Sequence, residues 1–345
     1  MQRSSRASPD LPRTSPASPR TSLSPRSFAA VATASLLAGV AAVAFAAPAA
    51  AGSAWILSVG GEVDEESGYR FDAGAIWVPV ESTSVSVLGA RADSSTDFDE
   101  FTSTTAIVAV DHHFDPVGLS LEARWREDSD FLEALTWAGS LYLRTGPWRI
   151  SLRGETRSTD FEPMTFSNVV IPRDGVPVQV SATSECGLDN TAYGAGASYT
   201  GSVWSVRLSG TQYDYDDADC EFTNVTPPSF ARFLRLRPNL LPLIAPRLAL
   251  FQRLQRSSIT RESTFLDSTL SAGLGLRAGP RTWELDYYHD REQFEGLESD
   301  TLIAGVTLPT GERADLELRL GLTDSDVVGN VAFVGFTLYG YLGGD

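Results

Sequence analysis

The chain has no lysine, so its 27 Lys/Arg-class cations are all arginine. Cysteine, methionine and histidine are scarce, at two, two and three residues. After Ala51 there is no apolar run long enough to cross a bilayer as a helix. These shortages exclude several classes. A net charge of −17 makes the chain a poor candidate for nucleic acid, whose phosphates need a basic footprint. Two cysteines with no histidine nearby do not make a zinc site, and no glycine-rich phosphate loop is present. No cofactor and no metal is expected.

The first 51 residues differ from the rest. Met1 to Arg26 is polar and rich in Ser, Pro and Arg; Phe28 to Ala47 is an Ala/Val/Leu run; Pro48 precedes Ala49-Ala50-Ala51. A basic lead, an apolar stretch and small residues at its end make a secretory signal peptide over 1–51, with a transmembrane helix as the competing reading. The lead holds five Arg and one Asp, so residues 52–345 carry a net charge of −21. Export also places Cys186 and Cys220 in an oxidising compartment, where a disulfide between them is expected.

From residue 52 onward, apolar and polar residues alternate with the strand period of two. Leu119, Leu121, Ala123 and Trp125 share one face of their segment, and Leu316, Leu318 and Leu320 alternate with Asp315, Glu317 and Arg319. Two kinds of connection follow one another in rotation. Pro79–Thr83, Phe114–Gly118, Thr145–Pro147, Thr200–Val203, Ala278–Thr282 and Pro309–Arg313 are short; Asp93–Glu100, Glu127–Asp130, Asp290–Asp300 and Thr323–Asn330 are acidic. The two longest connections span 158–189 and 215–263. Trp55, Trp77, Trp148, Trp204 and Trp283 cluster at the short-turn ends, joined by Phe114 and Tyr199. Tyr69, Phe71, Phe131, Tyr213 and Tyr287 suggest a second aromatic belt near the acidic connections. The pattern predicts an all-β, transmembrane, antiparallel up-and-down barrel of about 14 strands with both termini at the short-turn, periplasmic side. The last strand is ambiguous: Val331, Phe333, Tyr339 and Tyr341 share one face, and Val334, Phe336, Leu338 and Leu342 the other.

With its leader, hairpin rhythm, aromatic belts and closing strand Asn330–Leu342, the chain resembles a Gram-negative outer-membrane β-barrel of porin-like build over residues 52–345. The resemblance implies an outer-membrane location, with lipid and lipopolysaccharide as surroundings. The usual closing strand ends on its aromatic, whereas here Leu342-Gly343-Gly344-Asp345 follows Tyr341.

The inward face should carry the function. Alternation predicts a charged lining that includes Arg124, Arg126, Arg149, Arg153, Arg207, Glu284, Asp286, Asp315, Glu317 and Arg319. Unpaired charge is costly in a dry interior, so a water-filled pore for small polar solutes, passive or gated, is the expected function. Mixed charges that pair across the lumen and close it are the competing outcome, giving a closed surface-binding or structural barrel. The segment Phe230–Arg256 breaks the acidic rule. Its Arg232, Arg235, Arg237, Arg247, Arg253 and Arg256 suit a constriction or plug in the lumen, or a strip on lipopolysaccharide phosphates. The acidic connections suit either solvation or divalent cations bridging that lipid. His289-Asp290 and Asp216-Asp217 have a faint likeness to the rim pairs of omptin-type proteases; no catalytic residue is assigned from it.

Overall fold

The computed structural model describes residues 53–343 apart from 66–67, 96–99, 130, 174–175, 217–218, 227–264, 294–295 and 327–328. The leader over 1–51 and the Arg-rich segment 230–256 lie outside the described residues.

The described residues form β1 Ala54–Asp64, β2 Tyr69–Val80, β3 Thr83–Ser95, β4 Glu100–Phe114, β5 Val117–Asp128, β6 Leu132–Thr145, β7 Trp148–Arg173, β8 Val176–Thr200, β9 Trp204–Tyr215, β10 Asp219–Thr226, β11 Leu266–Ala278, β12 Arg281–Glu292, β13 Glu298–Pro309, β14 Ala314–Ser325 and β15 Gly329–Gly343. Each strand pairs antiparallel with its neighbour, and β1 pairs with β15 from Ala54↔Gly343 to Asp64↔Phe333, which closes the sheet. β10 is not a separate stave. Asn190↔Tyr215 on β9 is followed by Gly187↔Asp219 on β10, so β10 continues the β9 ladder along β8 after a small irregularity. The result is a closed 14-stranded barrel.

Local chemistry sets the hairpins. Gly146 (φ 59°) with Pro147, and Gly279 (φ 62°) with Pro280, fill the two-residue turns between Thr145↔Trp148 and Ala278↔Arg281. Positive φ at the first central residue gives a turn whose twist matches that of the strands. The first and last described residues, Ser53 and Gly343, lie at this tight-turn end.

Strand register sorts the side chains. Residues directly opposite in an antiparallel ladder point the same way. Following the pairs around the ring puts Leu121, Leu141, Leu152, Leu208, Leu274, Leu285, Leu302, Leu320 and Leu338 on one face, and all are exposed. An exposed apolar girdle that runs right round the barrel far exceeds any patch carried by a water-soluble monomer. It is the lipid-facing side of a membrane-spanning barrel. At the tight-turn end Trp55 stacks on Trp77 (5.8 Å, 20°) and Tyr199 on Trp204 (4.4 Å, 24°), with Phe114, Trp148 and Trp283 exposed beside them. The opposite belt is built from Tyr69, Phe71, Trp137, Tyr193 and Tyr287. Trp125 joins it, donating its indole N–H to Glu133 (2.7 Å) at the polar edge of the girdle.

Two expected members of that belt face inward instead. Tyr213 pairs with buried Ala192, and Phe131 packs edge-on against Phe161. Proximity to an acidic connection gave their height on the wall but not their face. The last strand is also resolved. Val334, Phe336, Leu338 and Leu342 look out, while Val331, Phe333, Tyr339 and Tyr341 look in.

The 158–189 connection is not a loop. β7 and β8 run on to Arg173 and from Val176 as one hairpin, and β10 lies beside it, so three strands project past the rim. Cys186 and Cys220 sit directly opposite on β8 and β10 and form a disulfide with Cα atoms 4.1 Å apart. The bridge therefore staples the projection.

Candidate functional site: the barrel lumen

The inward face is polar along most of its length. β5 to β7 contribute Glu122, Arg124, Arg126, Asp128, Arg144, Arg149, Arg153, Glu155 and Arg157. β12 and β14 contribute Glu284, Asp286, Asp290, Asp315, Glu317 and Arg319. In a 14-strand ring β14 stands opposite β6, so an arginine-rich wall faces an acidic one. The sequence-expected lining residues all fall in this inward register.

Most of these charges are paired along their own wall. The Arg124 guanidinium lies 2.8 Å from Glu122; Arg153 lies 3.4 Å from Glu122 and 3.1 Å from Glu155. Arg126 and Asp128 are 3.0 Å apart with almost no exposed side-chain surface. Arg207 bridges two strands, 2.8 Å from Asp286 and 3.9 Å from Glu284, and Gly273 leaves room for it beside Asp286. Arg319 sits 3.5 Å from Glu317 and also donates to Thr337 (2.8 Å). Tyr339 donates to Glu317 (2.7 Å) and Tyr341 to Asp315 (2.8 Å), which joins the closing strand to the acidic wall. These pairs neutralise charge within one wall.

Burial is graded along the axis. At the long-connection end, inward Asp128, Leu132, Phe161, Leu188, Val331 and Phe333 are all buried. Toward the tight turns the lining opens, and the Arg207 side chain is 56% exposed. The closed end has an apolar core. Phe265, just before β11, stacks on Phe161 of β7 (5.9 Å, 13°) and packs with Leu132, Leu188 and the Cys186–Cys220 bridge. Its carbonyl accepts from the Gln293 N–H (3.0 Å), and the neighbouring Leu266 carbonyl accepts from the Tyr215 hydroxyl (2.9 Å). The chain entering β11 thus crosses the inner faces of β9 and β8. Sequence reasoning overlooked Phe265 and Tyr142, because neither stands in a motif and both owe their position to register.

Other candidates are placed elsewhere. His289 follows Trp283, Leu285 and Tyr287 on the outward face and pairs with Asp300 (Nδ1 to Oδ1 3.0 Å), not with Asp290. The Tyr287 hydroxyl and His289 hold the Asp300 carboxyl below the usual range, at the lipid-side rim above the girdle. The omptin-like grouping is therefore not assembled around His289. Of the other two histidines, His112 faces outward against Thr83 (2.7 Å), whereas His113 follows the inward register beside Gly118. A hollow of about 540 Å³ opens on the lipid side, where Gly139 and Gly154 leave space between Val108, Leu121 and Trp137. Among the described residues no three His, Cys, Asp or Glu side chains gather as a metal site.

No family model matches this chain, and no curated protein matches it. Solved barrels resemble it distantly. The CymD monoaromatic hydrocarbon channel has 10% identity and a TM-score of 0.49 over 85% of this chain and 89% of its own. An anion-selective porin from Comamonas acidovorans has 9% identity and a TM-score of 0.40, covering 84% and 98%. OccK1 (OpdK) of Pseudomonas aeruginosa has 8% identity and a TM-score of 0.37, also covering 84% and 98%. At this identity and similarity none of their functions transfers to this chain.

Proposed function

We propose that this chain is an outer-membrane diffusion channel for small polar solutes, with tight turns and both termini in the periplasm and the long connections outside. The charged inward face carries the proposal. A 14-strand ring is wider than a side-chain-filled eight-strand barrel. Its arginines and carboxylates pair along each wall, at 2.8–3.5 Å for Arg124–Glu122, Arg207–Asp286 and Arg319–Glu317, and need water on their remaining side. Arg124, Arg126, Arg149, Arg153, Arg207, Glu284, Asp286, Asp315, Glu317 and Arg319 are its lining. We assign its constriction to Arg232, Arg235, Arg237, Arg247, Arg253 and Arg256, which lie outside the described residues; the support is that Phe265, the first described residue after them, packs inside the lumen. Lipid and lipopolysaccharide surround the girdle. Refolded protein in a planar bilayer should give discrete conductance steps, larger when Asn224–Arg256 is deleted. No steps from either form refutes the channel.

The buried long-connection end and the stapled three-strand projection favour one second reading, a closed barrel that binds a partner at the cell surface. Surface binding without conductance in either form would establish it.

A further inference from the structure

We propose that Arg144 and Arg149 form a carboxylate-binding station in the lumen near its tight-turn mouth. The inference rests on the channel reading and deepens it to a substrate class: small solutes that carry a carboxylate.

Register places Arg144 of β6 directly opposite Arg149 of β7, both in the inward-facing series. Like charges directly opposite on one face repel and destabilise the strand pair. Five other arginines of the inward face are neutralised: Arg124, Arg126, Arg153, Arg207 and Arg319 each have a carboxylate within 2.8 to 3.5 Å. Among the described residues, Arg144 and Arg149 have no ion pair. What they share is an aromatic ring. The Arg149 guanidinium carbon lies 3.6 Å from the Tyr142 ring centroid and that of Arg144 lies 5.3 Å from it.

That ring is fixed. Tyr142 is 1% exposed, and its hydroxyl donates to Asp111 (2.9 Å). It lies flat over Gly118, where any Cβ would collide with it. The nearby Asp111 carboxylate is thus engaged through the tyrosine. A cation–π contact uses the face of the guanidinium and leaves its N–H donors free in the plane. Two such forks, side by side and without an ion pair among the described residues, suit one planar anion. A carboxylate accepting from both forms charge-assisted bonds and removes the repulsion between them. Ser198, directly opposite Arg149 on β8, and Ser151 on β7 add neutral donors on the same inward face. The station lies at the open end of the lumen, where solvent reaches the lining.

Calorimetric titration of refolded protein in detergent with sodium benzoate and sodium acetate tests this. Wild type should bind both. The Arg144→Gln/Arg149→Gln protein should bind about tenfold or more weaker per arginine lost, in line with charge-assisted bonds. Arg144→Lys/Arg149→Lys should fall between, because it keeps the charge and loses the fork. Circular dichroism establishes that each variant keeps its β-structure. In a salt gradient across a bilayer, the Gln protein should shift its reversal potential toward cations. A folded Gln protein with unchanged benzoate affinity overturns the station, as does tighter binding of inorganic phosphate than of acetate. Benzoate binding without conductance would leave the station and sink the channel. Conductance without benzoate binding would do the reverse.

Discussion

Leu320→Arg probes the outward face most directly. Leu320 is 62% exposed and sits mid-height in the girdle, between Leu318 and Leu322 on β14. Its neighbour Arg319 points the other way and bonds Glu317 and Thr337. An arginine at the bilayer midplane of a barrel costs about 2–4 kcal/mol, falling to about 0–1 kcal/mol near the interface. About 3 kcal/mol is roughly a hundredfold in the folding constant. Asp324→Arg is the control, since Asp324 follows the same outward series two residues beyond Leu322, at the polar edge. Guanidinium unfolding from phospholipid vesicles, followed by tryptophan fluorescence, should show Leu320→Arg losing several times more stability than Asp324→Arg. A one-residue slip of register would exchange the two faces. Equal costs for the two variants would therefore refute the inward and outward assignment, and with it the lumen.

Three further outcomes are expected. Tyr339→Phe removes the bond to Glu317 at the barrel seam and should cost about 1–2 kcal/mol in the same unfolding assay; no change would mean that the seam does not depend on it. Cys220→Ser opens the staple on the projection. A bridge closing 34 residues typically contributes about 2–4 kcal/mol, so proteolysis between 162 and 185 should rise while the barrel stays protected; unchanged cleavage there would count against a stapling role. Asp160 lies outside the girdle, where burial and the Glu133 and Asp189 carboxylates push its pKa up. The folded state then favours the protonated acid, so stability is lost as pH rises through the carboxylate range. Asp160→Asn should stabilise the protein at neutral pH and lose that advantage at strongly acid pH, as read from unfolding midpoints; an equal effect at both would exclude the carboxylate repulsion.

Much of the architecture was legible from alternation alone. Leu316, Leu318 and Leu320 set against Asp315, Glu317 and Arg319 have one apolar and one charged side, so the outward face of that strand was readable without a neighbour. The same holds for Trp204–Ser209 and for the tryptophans at the tight turns. Where both sides of a strand are apolar, period two is degenerate, and β15 was undecided for that reason. Only pairing with β14 and β1 turned Tyr339 and Tyr341 inward to Glu317 and Asp315. The β7–β8 extension looked like a loop because its proline and polar residues mask the alternation, yet a hairpin partner and a disulfide hold it extended. Phe265 reaches Phe161 across two strands, and Arg144 meets Arg149 over Tyr142. No spacing in the chain announces either contact, because both depend on strand register. Sequence by itself determined that this chain makes a barrel with apolar outside and charge inside, since each strand carries its own two faces. The tertiary structure decided which charges are neutralised, because a side chain's partner across the sheet is set by register and not by its place in the chain.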